Sequence, residues 1–599
     1  MRKKFKDFFY IIKFCFNISW KASRKYVIIR VVLEVILAAV PFAVIVLGKK
    51  IINFFVELPL MQISTQNKIY KLAILLVILM LINIINRLIA RLKEYYSGMH
   101  KDLISREVEI QISEQTSSLD LSYFDSVKFY NEMNNAKRDS GSLQTLTWFV
   151  MDIIRGGIQL IISFVVLAKL NAVFALMIII TGIPSIFMEK RFRELIYNWQ
   201  RNHVQEERKI TYILNILTGG IFAKDIRLFG IKDELISRYK SMWDTWFKGK
   251  RETTYKLTKL LVLLSSLPEI GAIGISLYVG IQIILGNLTV GDYSLYNGMI
   301  GQLLGGLFSI ITLTSTIYDN NLRIINYNNF IKWGSNIKET GSKKLTLPLE
   351  ICFENVSFKY PDTEQYILQN LTFSFKGDQK VALVGVNGSG KSTIVKLLLR
   401  YYDPTEGRIS VNGIDIKECD LKDYRKHFSV MFQDYANYAF TIREDIVLSD
   451  LDNNCNIEKV EIALDRSGAR DIANKFDTGI ETYLTRQFEE SGKELSGGQW
   501  QKIALARTFF RDGDIIILDE PSATLDPEAE HQVFEKFTEL CKGKGAIFIS
   551  HRLSNATMAD RIIVLDKGKI IEDGSHKELM AIKGKYAYLF NLQMERYVV

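Results

Sequence analysis

The chain has 599 residues, 48% of them hydrophobic and 24% charged, with a formal net charge of +10. That length exceeds one ordinary domain, so two or more are expected. The positive charge does not argue for nucleic acid, because basic residues gather at the N-terminus ("MRKKFK") and between apolar runs, as in loops beside anionic lipid.

A mean hydropathy of +0.07 conceals a split. Up to about Asn320, long apolar runs alternate with basic stretches; beyond Leu345 the pattern is that of a soluble α/β domain. First comes "FYIIKFCFNISW", which mixes aromatic and basic residues and reads as an interfacial helix on the inner leaflet. Six runs then reach the ~20 apolar residues that a bilayer crossing requires. They begin at Val27, Leu72, about Phe149, about Ala172, about Leu260 and about Tyr293, and only "KLN" separates the third from the fourth. One such run alone could be a buried soluble helix, but six in series make that reading untenable. In the sixth, Gly301, Gly305 and Gly306 are expected to allow close helix packing. No small-residue cleavage site follows the first run, so no cleavable signal is expected.

The connections set the orientation. Residues 91–143 and 190–259 are long and rich in Lys and Arg, whereas "FFVELPLMQISTQN", "KLN" and "GNLTVGD" are short or sparsely charged. The positive-inside rule therefore puts the N-terminus, both long loops and the C-terminal half in the cytoplasm of a multi-pass cell-membrane protein. Five scattered cysteines (Cys15, Cys352, Cys419, Cys455 and Cys541) have no metal-ligand spacing and suit a reduced compartment. Arg30, Glu34, Asp152, Arg155 and Glu269 fall in or near the spans. Such groups face a bundle interior or a watery path, or sit at the interface, and both readings stand. Arg30 and Glu34, four apart, can pair on one helix. Glu269, beside Pro268, is expected to line a cavity.

After the polar "GSNIKETGSKK", the chain turns to short strands, glycine turns and amphipathic helices. "KVALVGVNGSGKSTIVKLLLR" orders strand, glycine-rich loop and helix, the context that gives a P-loop pattern its meaning. Gly385, Gly388 and Gly390 let backbone N–H groups close round phosphate oxygens. Val386, Asn387, Ser389 and Thr393 complete the phosphate-binding stretch. Lys391 reaches the β- and γ-phosphates of ATP, and Ser392 ligates Mg²⁺. "DIIILDEPSATLD" is a buried strand ending in acids: Asp519 holds Mg²⁺ through water, and Glu520 orients and deprotonates the attacking water. "GAIFISHR" ends a third strand at His551, suited to donate to the γ-phosphate.

In chain order, "GVNGSGKS", "MFQD", "LSGGQ", "ILDEPSATLD" and "ISHR" resemble the nucleotide-binding domain of ABC transporters, over essentially everything from Glu350 onward. The resemblance implies that Tyr360 of "VSFKYP" stacks on adenine. It implies that Gln433 contacts Mg²⁺ and the attacking water, and that Asp526 communicates between two sites. Ser496, Gly497, Gly498 and Gln499 would meet the γ-phosphate of ATP held by another subunit, using a helix N-terminus as the anion site. One P-loop and one signature per chain then require a dimer, either a homodimer or a pairing with a related half-transporter.

The membrane half resembles an ABC exporter half-transporter, with "LDLSYFDSVKFYNEMNNA" and "AKDIRLFG" as its coupling segments. The implied fold is an all-α six-helix transmembrane domain (1–333), a linker (334–349) and an α/β P-loop ATPase domain (350–599). Ahead of the signature stands "LTRQFEESGKE" where many exporters have "TxVGExG", and Trp500 and Lys502 replace the usual arginines. "LSGGQWQKIALARTFF" resembles the exporters of lanthionine-containing and related bacterial peptides, which implies a peptide cargo. An N-terminal peptidase domain is not expected, since little sequence precedes the first span and Cys15 lacks a nearby histidine. Trp500 is expected to pack rather than catalyse. A lipid or drug exporter and a non-transporting membrane ATPase are the alternatives.

Overall fold

Long apolar runs satisfy their backbone groups in lipid only by coiling into helices. A computed structural model describes residues 2–361, 363–520, 537, 541, 543–549 and 553–595. The chain divides into two units, Met1–Ser117 with Asn131–Trp333 and Ser118–Tyr130 with Gly334–Val599.

The first unit is built on helices α1 (Arg2–Ala22), α2 (Arg24–Glu57) and α3 (Thr65–Ser118). After the short α4 (Leu121–Phe124) of the second unit come α5 (Val127–Asn202), α6 (Val204–Thr218), α7 (Ala223–Phe229), α8 (Lys232–Ser265), α9 (Leu267–Ile284) and α10 (Val290–Ile331). Five stretches are long and apolar enough to cross a membrane. One of them, Met151–Gln200, holds the third and fourth expected spans together. At 76 residues, α5 would be about 114 Å long if unbroken, far beyond a ~30 Å hydrocarbon core. The break falls at Asn171, whose φ of −165° and ψ of 119° leave the helical region. Its side chain accepts a hydrogen bond from the Val173 N–H at 2.9 Å, starting the helix again. Divided there, the stretch supplies two spans and the total reaches six.

Small residues set the packing. A Cβ on Gly306 would lie 2.8 Å from Leu160 and 3.1 Å from the Gly156 carbonyl, so α10 and α5 touch there. A Cβ on Gly301 or Gly305 would meet nothing within 4 Å among the described residues of this chain. At the other end of α10, Thr289 and Asp292 form a capping box. Asp292 also pairs with Lys49 of α2 at 2.5 Å. Glu269 is exposed in the first turn of α9, where a carboxylate complements a helix N-terminus.

The second unit carries two sheets. One is antiparallel in the order β2 (Leu368–Lys376), β1 (Glu350–Phe358), β4 (Glu406–Val411), β5 (Ile414–Asp415). The other runs β10 (Lys569–Gly574), β9 (Arg561–Asp566), β3 (Lys380–Gly385), β8 (Gly545–Ile549), β7 (Ile515–Asp519), β6 (Phe428–Met431), and is parallel from β9 to β6. Strands buried on both faces read as continuous apolar runs, as "AIFI" and "IIIL" do. Helix α11 (Lys391–Leu398) follows β3, and α12 (Leu421–Lys426) precedes β6.

Helices α13 (Ile442–Val447), α14 (Ile457–Ser467), α15 (Arg470–Asn474) and α16 (Gly497–Arg511) share a separate apolar cluster. Trp500 is buried in it, with Leu484 from the segment ahead of the signature and Leu495 from the signature's first position packed alongside, so its role is packing. Asp445 of α13 is fully buried against Arg507 of α16, with Nε and Oδ1 3.1 Å apart. Burial pushes the Asp445 carboxyl up to about 6, outweighing the opposing Arg507 charge. The folded state therefore holds this proton more tightly than the unfolded chain, whose carboxyl titrates near 3.8. The resulting stability is complete below that value and is lost as pH rises through about 6. Asp445→Asn should consequently gain thermal stability relative to the parent chain as pH is raised from 4.5 to about 7. Melting curves at several pH values check this, and a difference independent of pH would show that burial does not dominate.

Candidate functional site

In open α/β sheets, ligands gather beyond the carboxyl ends of the parallel strands. Here β3 ends at Gly385, and the loop to α11 passes over that edge. A Cβ on Gly385 would lie 2.3 Å from the Leu565 carbonyl, and Gly390, at φ +102°, would drive one to 2.4 Å from Leu368. The loop thus folds as it does only because those side chains are missing. Lys391 is folded back, its ammonium donating to the Gly385 and Val386 carbonyls at 2.9 and 3.1 Å. Burial pushes its pKa below the usual value, opposed by the charges of Glu520 and Asp519.

A cleft of 470 Å³ lies against this loop, within the size range of small-ligand sites. Tyr360, Asn387, Gly388, Gly390, Lys391, Ser392, Thr393, Gln433 and Glu520 line it, together with Ile367. Nine positions expected from sequence are thereby brought together from four separate segments. The Tyr360 hydroxyl lies 3.2 Å from that of Thr393, and Lys396 sits 5.5 Å from the ring centroid. The ring's edge contacts fix its plane beside the cleft.

Asp519, at the end of β7, is 3% exposed. Burial raises its pKa, against a hydrogen bond from Ser392 and the Lys391 charge that favour ionisation. Its Oδ1 has no hydrogen-bond partner among the described residues, and neither has the buried Ser389 hydroxyl. An orphaned carboxylate oxygen beside a serine hydroxyl is a donor set suited to a hard cation such as Mg²⁺. Next along the chain, Glu520 adopts φ +52°, the left-handed region that disfavours a residue with a Cβ. Gln433 Nε2 donates to Glu520 Oε2 at 2.8 Å. Strain held at such a position is typical of functional sites. Asp526 and His551 lie outside the described residues.

The signature lies apart from this cleft. Ser496 caps α16 in a capping box with Gln499, and Ser496 and Gly497 are exposed. None of Ser496, Gly497, Gly498 or Gln499 lines the cleft beside the P-loop. The segment after Gln433 reaches α16 at two points that the sequence did not suggest. The Tyr435 hydroxyl donates to the Gly497 carbonyl at 3.3 Å. Arg507 donates to the Ala436 carbonyl at 2.8 Å and lies 5.0 Å from the Tyr438 ring centroid. An arginine and tyrosines at irregular spacing leave no sequence signal, because their partners come from distant segments.

The first expected coupling segment is bound into the second unit at both ends of α4. Asp120 accepts from the Ser335 hydroxyl at 2.6 Å and from the Asn336 and Ile337 N–H groups at 2.5 and 3.1 Å. Asp125 accepts from the Tyr402 hydroxyl. The Tyr402 ring meets Tyr360 edge-on, with centroids 5.4 Å apart. The second segment, in the first unit, forms α7 just after a 3-10 turn (Gly220–Phe222), and leaves Leu228 at 77% and Phe229 at 67% exposure.

Comparisons with known proteins agree on the assignment. The ABC transporter family pattern matches residues 368–523. The subtilin transport ATP-binding protein SpaT of Bacillus subtilis is 33% identical over 508 residues, covering 83% of this chain and 81% of that protein. The nisin transport ATP-binding protein NisT of Lactococcus lactis subsp. lactis is 30% identical over 598 residues, 96% of this chain and 95% of its own length. A bacterial Atm1-family ABC exporter solved with ATP bound superposes with a TM-score of 0.82 over 95% of this chain and 98% of that one. At 23% identity it establishes the fold alone. The chain belongs to the ABC exporters, as a half-transporter whose apolar helices make it a membrane protein and whose ATPase domain binds nucleotide and hydrolyses ATP to drive transport.

Proposed function

We propose that this half-transporter exports a peptide, lanthionine-containing or similar, or its precursor, out of the cytoplasm as a dimer. The cargo reading rests on two full-length relatives named for subtilin and nisin transport and on the Trp500 variant of the signature. The orientation rests on the basic loops, which put the N-terminus and the ATPase domain in the cytoplasm.

The observation that carries the dimer is the separation of the two phosphate-binding turns. The capped N-terminus of α16 is exposed and lines no part of its own chain's cleft. A helix N-terminus of this kind attracts anions. In a dimer it closes on the γ-phosphate held by the P-loop of its partner. The exposed Leu228 and Phe229 of the second coupling segment supply an apolar tip for docking on that partner.

Within one cleft, Tyr360 stacks on adenine, and the 385–393 loop with Lys391 holds the phosphates. Ser392, Gln433 and Asp519 would hold Mg²⁺, which would offset phosphate charge there. Glu520 orients a water through the position that Gln433 fixes and takes its proton, with His551 donating to the γ-phosphate. Through Tyr435 and Arg507, displacement of Gln433 also turns α16. Asp125 and Tyr402 carry movement of Tyr360 to the first coupling segment.

Glu520→Gln should retain ATP binding while hydrolysis falls about 10²- to 10⁴-fold, the range for losing a general base. Equilibrium binding and single-turnover measurements test this, and unchanged turnover would remove Glu520 from the role. A chain carrying Lys391→Ala and a chain carrying Ser496→Arg should each be inactive alone yet regain ATPase activity when co-assembled, because one composite site is then intact. Failure to complement would argue against a shared site. In proteoliposomes, nisin or subtilin should stimulate ATPase activity and accumulate inside inverted vesicles. Stimulation by apolar drugs or lipids but by neither peptide would replace the peptide reading.

A further inference from the structure

Three helices of the first unit meet in a cluster of charges that ATP hydrolysis does not use. Arg30 and Glu34 of α2 are 2.6 Å apart with side chains 3% and 0% exposed. Lys93 of α3 approaches Glu34 at 2.8 Å and Asp152 of α5 at 3.2 Å. Arg30 also reaches Asp152, at 3.1 Å. Arg155, one turn along α5 from Asp152, comes no closer to Glu34 than 3.9 Å and makes no other polar contact among the described residues. Among the described residues, three cations thus share two carboxylates, and the least satisfied cation is the most exposed, at 36%.

Depth follows from position. Arg30 lies three residues inside the first span, which begins at Val27, and Lys93 lies three beyond the second, which ends at Ala90. Asp152 lies three inside the third, which begins near Phe149. At 1.5 Å per residue these three lie within about 5 Å of the same boundary, at the end of the bundle that carries the N-terminus, and Arg155 and Glu34 lie about 9 and 10 Å inside it, within reach of a long guanidinium side chain that extends toward the headgroups. A buried cluster with unbalanced charge is unfavourable unless a counter-ion completes it. At this depth the abundant anion is the phosphate of a lipid headgroup, and a guanidinium presents a donor fork that matches phosphate geometry.

We propose that the Arg30–Lys93–Arg155 cluster is a binding site for the phosphodiester of an anionic phospholipid, with Arg155 as the accessible donor and Glu34 holding the three cations together. The site is independent of the cargo reading. The relevant chemistry is a phosphate oxyanion, which a lipid or a soluble phosphate can present.

The full chain in nanodiscs of phosphatidylcholine, with and without phosphatidylglycerol, separates the alternatives. Native mass spectrometry should find phosphatidylglycerol retained by the parent chain. Arg155→Gln should lower its apparent affinity about fivefold, the scale of one basic group beside anionic lipid, and Arg155→Lys should restore part of it. Arg87→Gln, which alters an exposed cation outside the cluster, should change nothing. Arg155 is half-exposed and Glu34 keeps two closer partners, so the variants should fold, which melting temperature verifies independently. Equal retention by Arg155→Gln, or equal loss in Arg87→Gln, would overturn the site. Displacement by millimolar inorganic phosphate would overturn the lipid as its ligand.

Discussion

A phosphate gripped by backbone N–H groups needs a loop that comes closer to its surroundings than any Cβ allows. Gly385 against the Leu565 carbonyl and Gly390 against Leu368 meet that requirement, and the positions of Lys391, Ser392 and Thr393 follow from it. The strand order then brings Asp519 and Glu520 to the same edge of the sheet, with β8 lying between β3 and β7. Buried Asp519 and left-handed Glu520 are each unfavourable for the fold alone. They persist because the surrounding parallel sheet fixes the backbone on both sides of them.

From that edge, two sets of contacts run outward in the second unit. Tyr360 touches Tyr402, which hydrogen-bonds Asp125, and Asp120 ties the other end of α4 to residues 335–337. The segment beyond Gln433 bonds to α16 near its start, through Tyr435, and midway along it, through Arg507. A change at the cleft therefore has short, directional routes to α4 and to α16. Hydrogen bonds and ring contacts transmit orientation well because both weaken steeply when misaligned.

Much of this was legible in the sequence for physical reasons. The P-loop, the acidic strand end and the capping serine of the signature depend on local rules of glycine, strand end and helix cap. Spans were legible because lipid tolerates little besides helix, and the "KLN" interruption marks the break at Asn171. Less local features were not. Gly301 and Gly305 have the composition of packing glycines, but only the helix rotation determines that, of the three, Gly306 alone makes a contact among the described residues of this chain. Glu269 stands among apolar neighbours in the sequence, and only the structure shows that a helix restarts there with the carboxylate exposed in its first turn. Tyr402, Tyr435 and Arg507 acquire meaning only from partners on distant segments.

The folded-back lysine of the P-loop has one more consequence. Its ammonium already has two carbonyl partners, those of Gly385 and Val386. Capturing a phosphate would therefore exchange neutral acceptors for a charged one rather than satisfy a free charge, and only the difference between the two sets of bonds would add to affinity. The same carbonyls would be on hand when the phosphates depart, so release would leave no buried ammonium without partners.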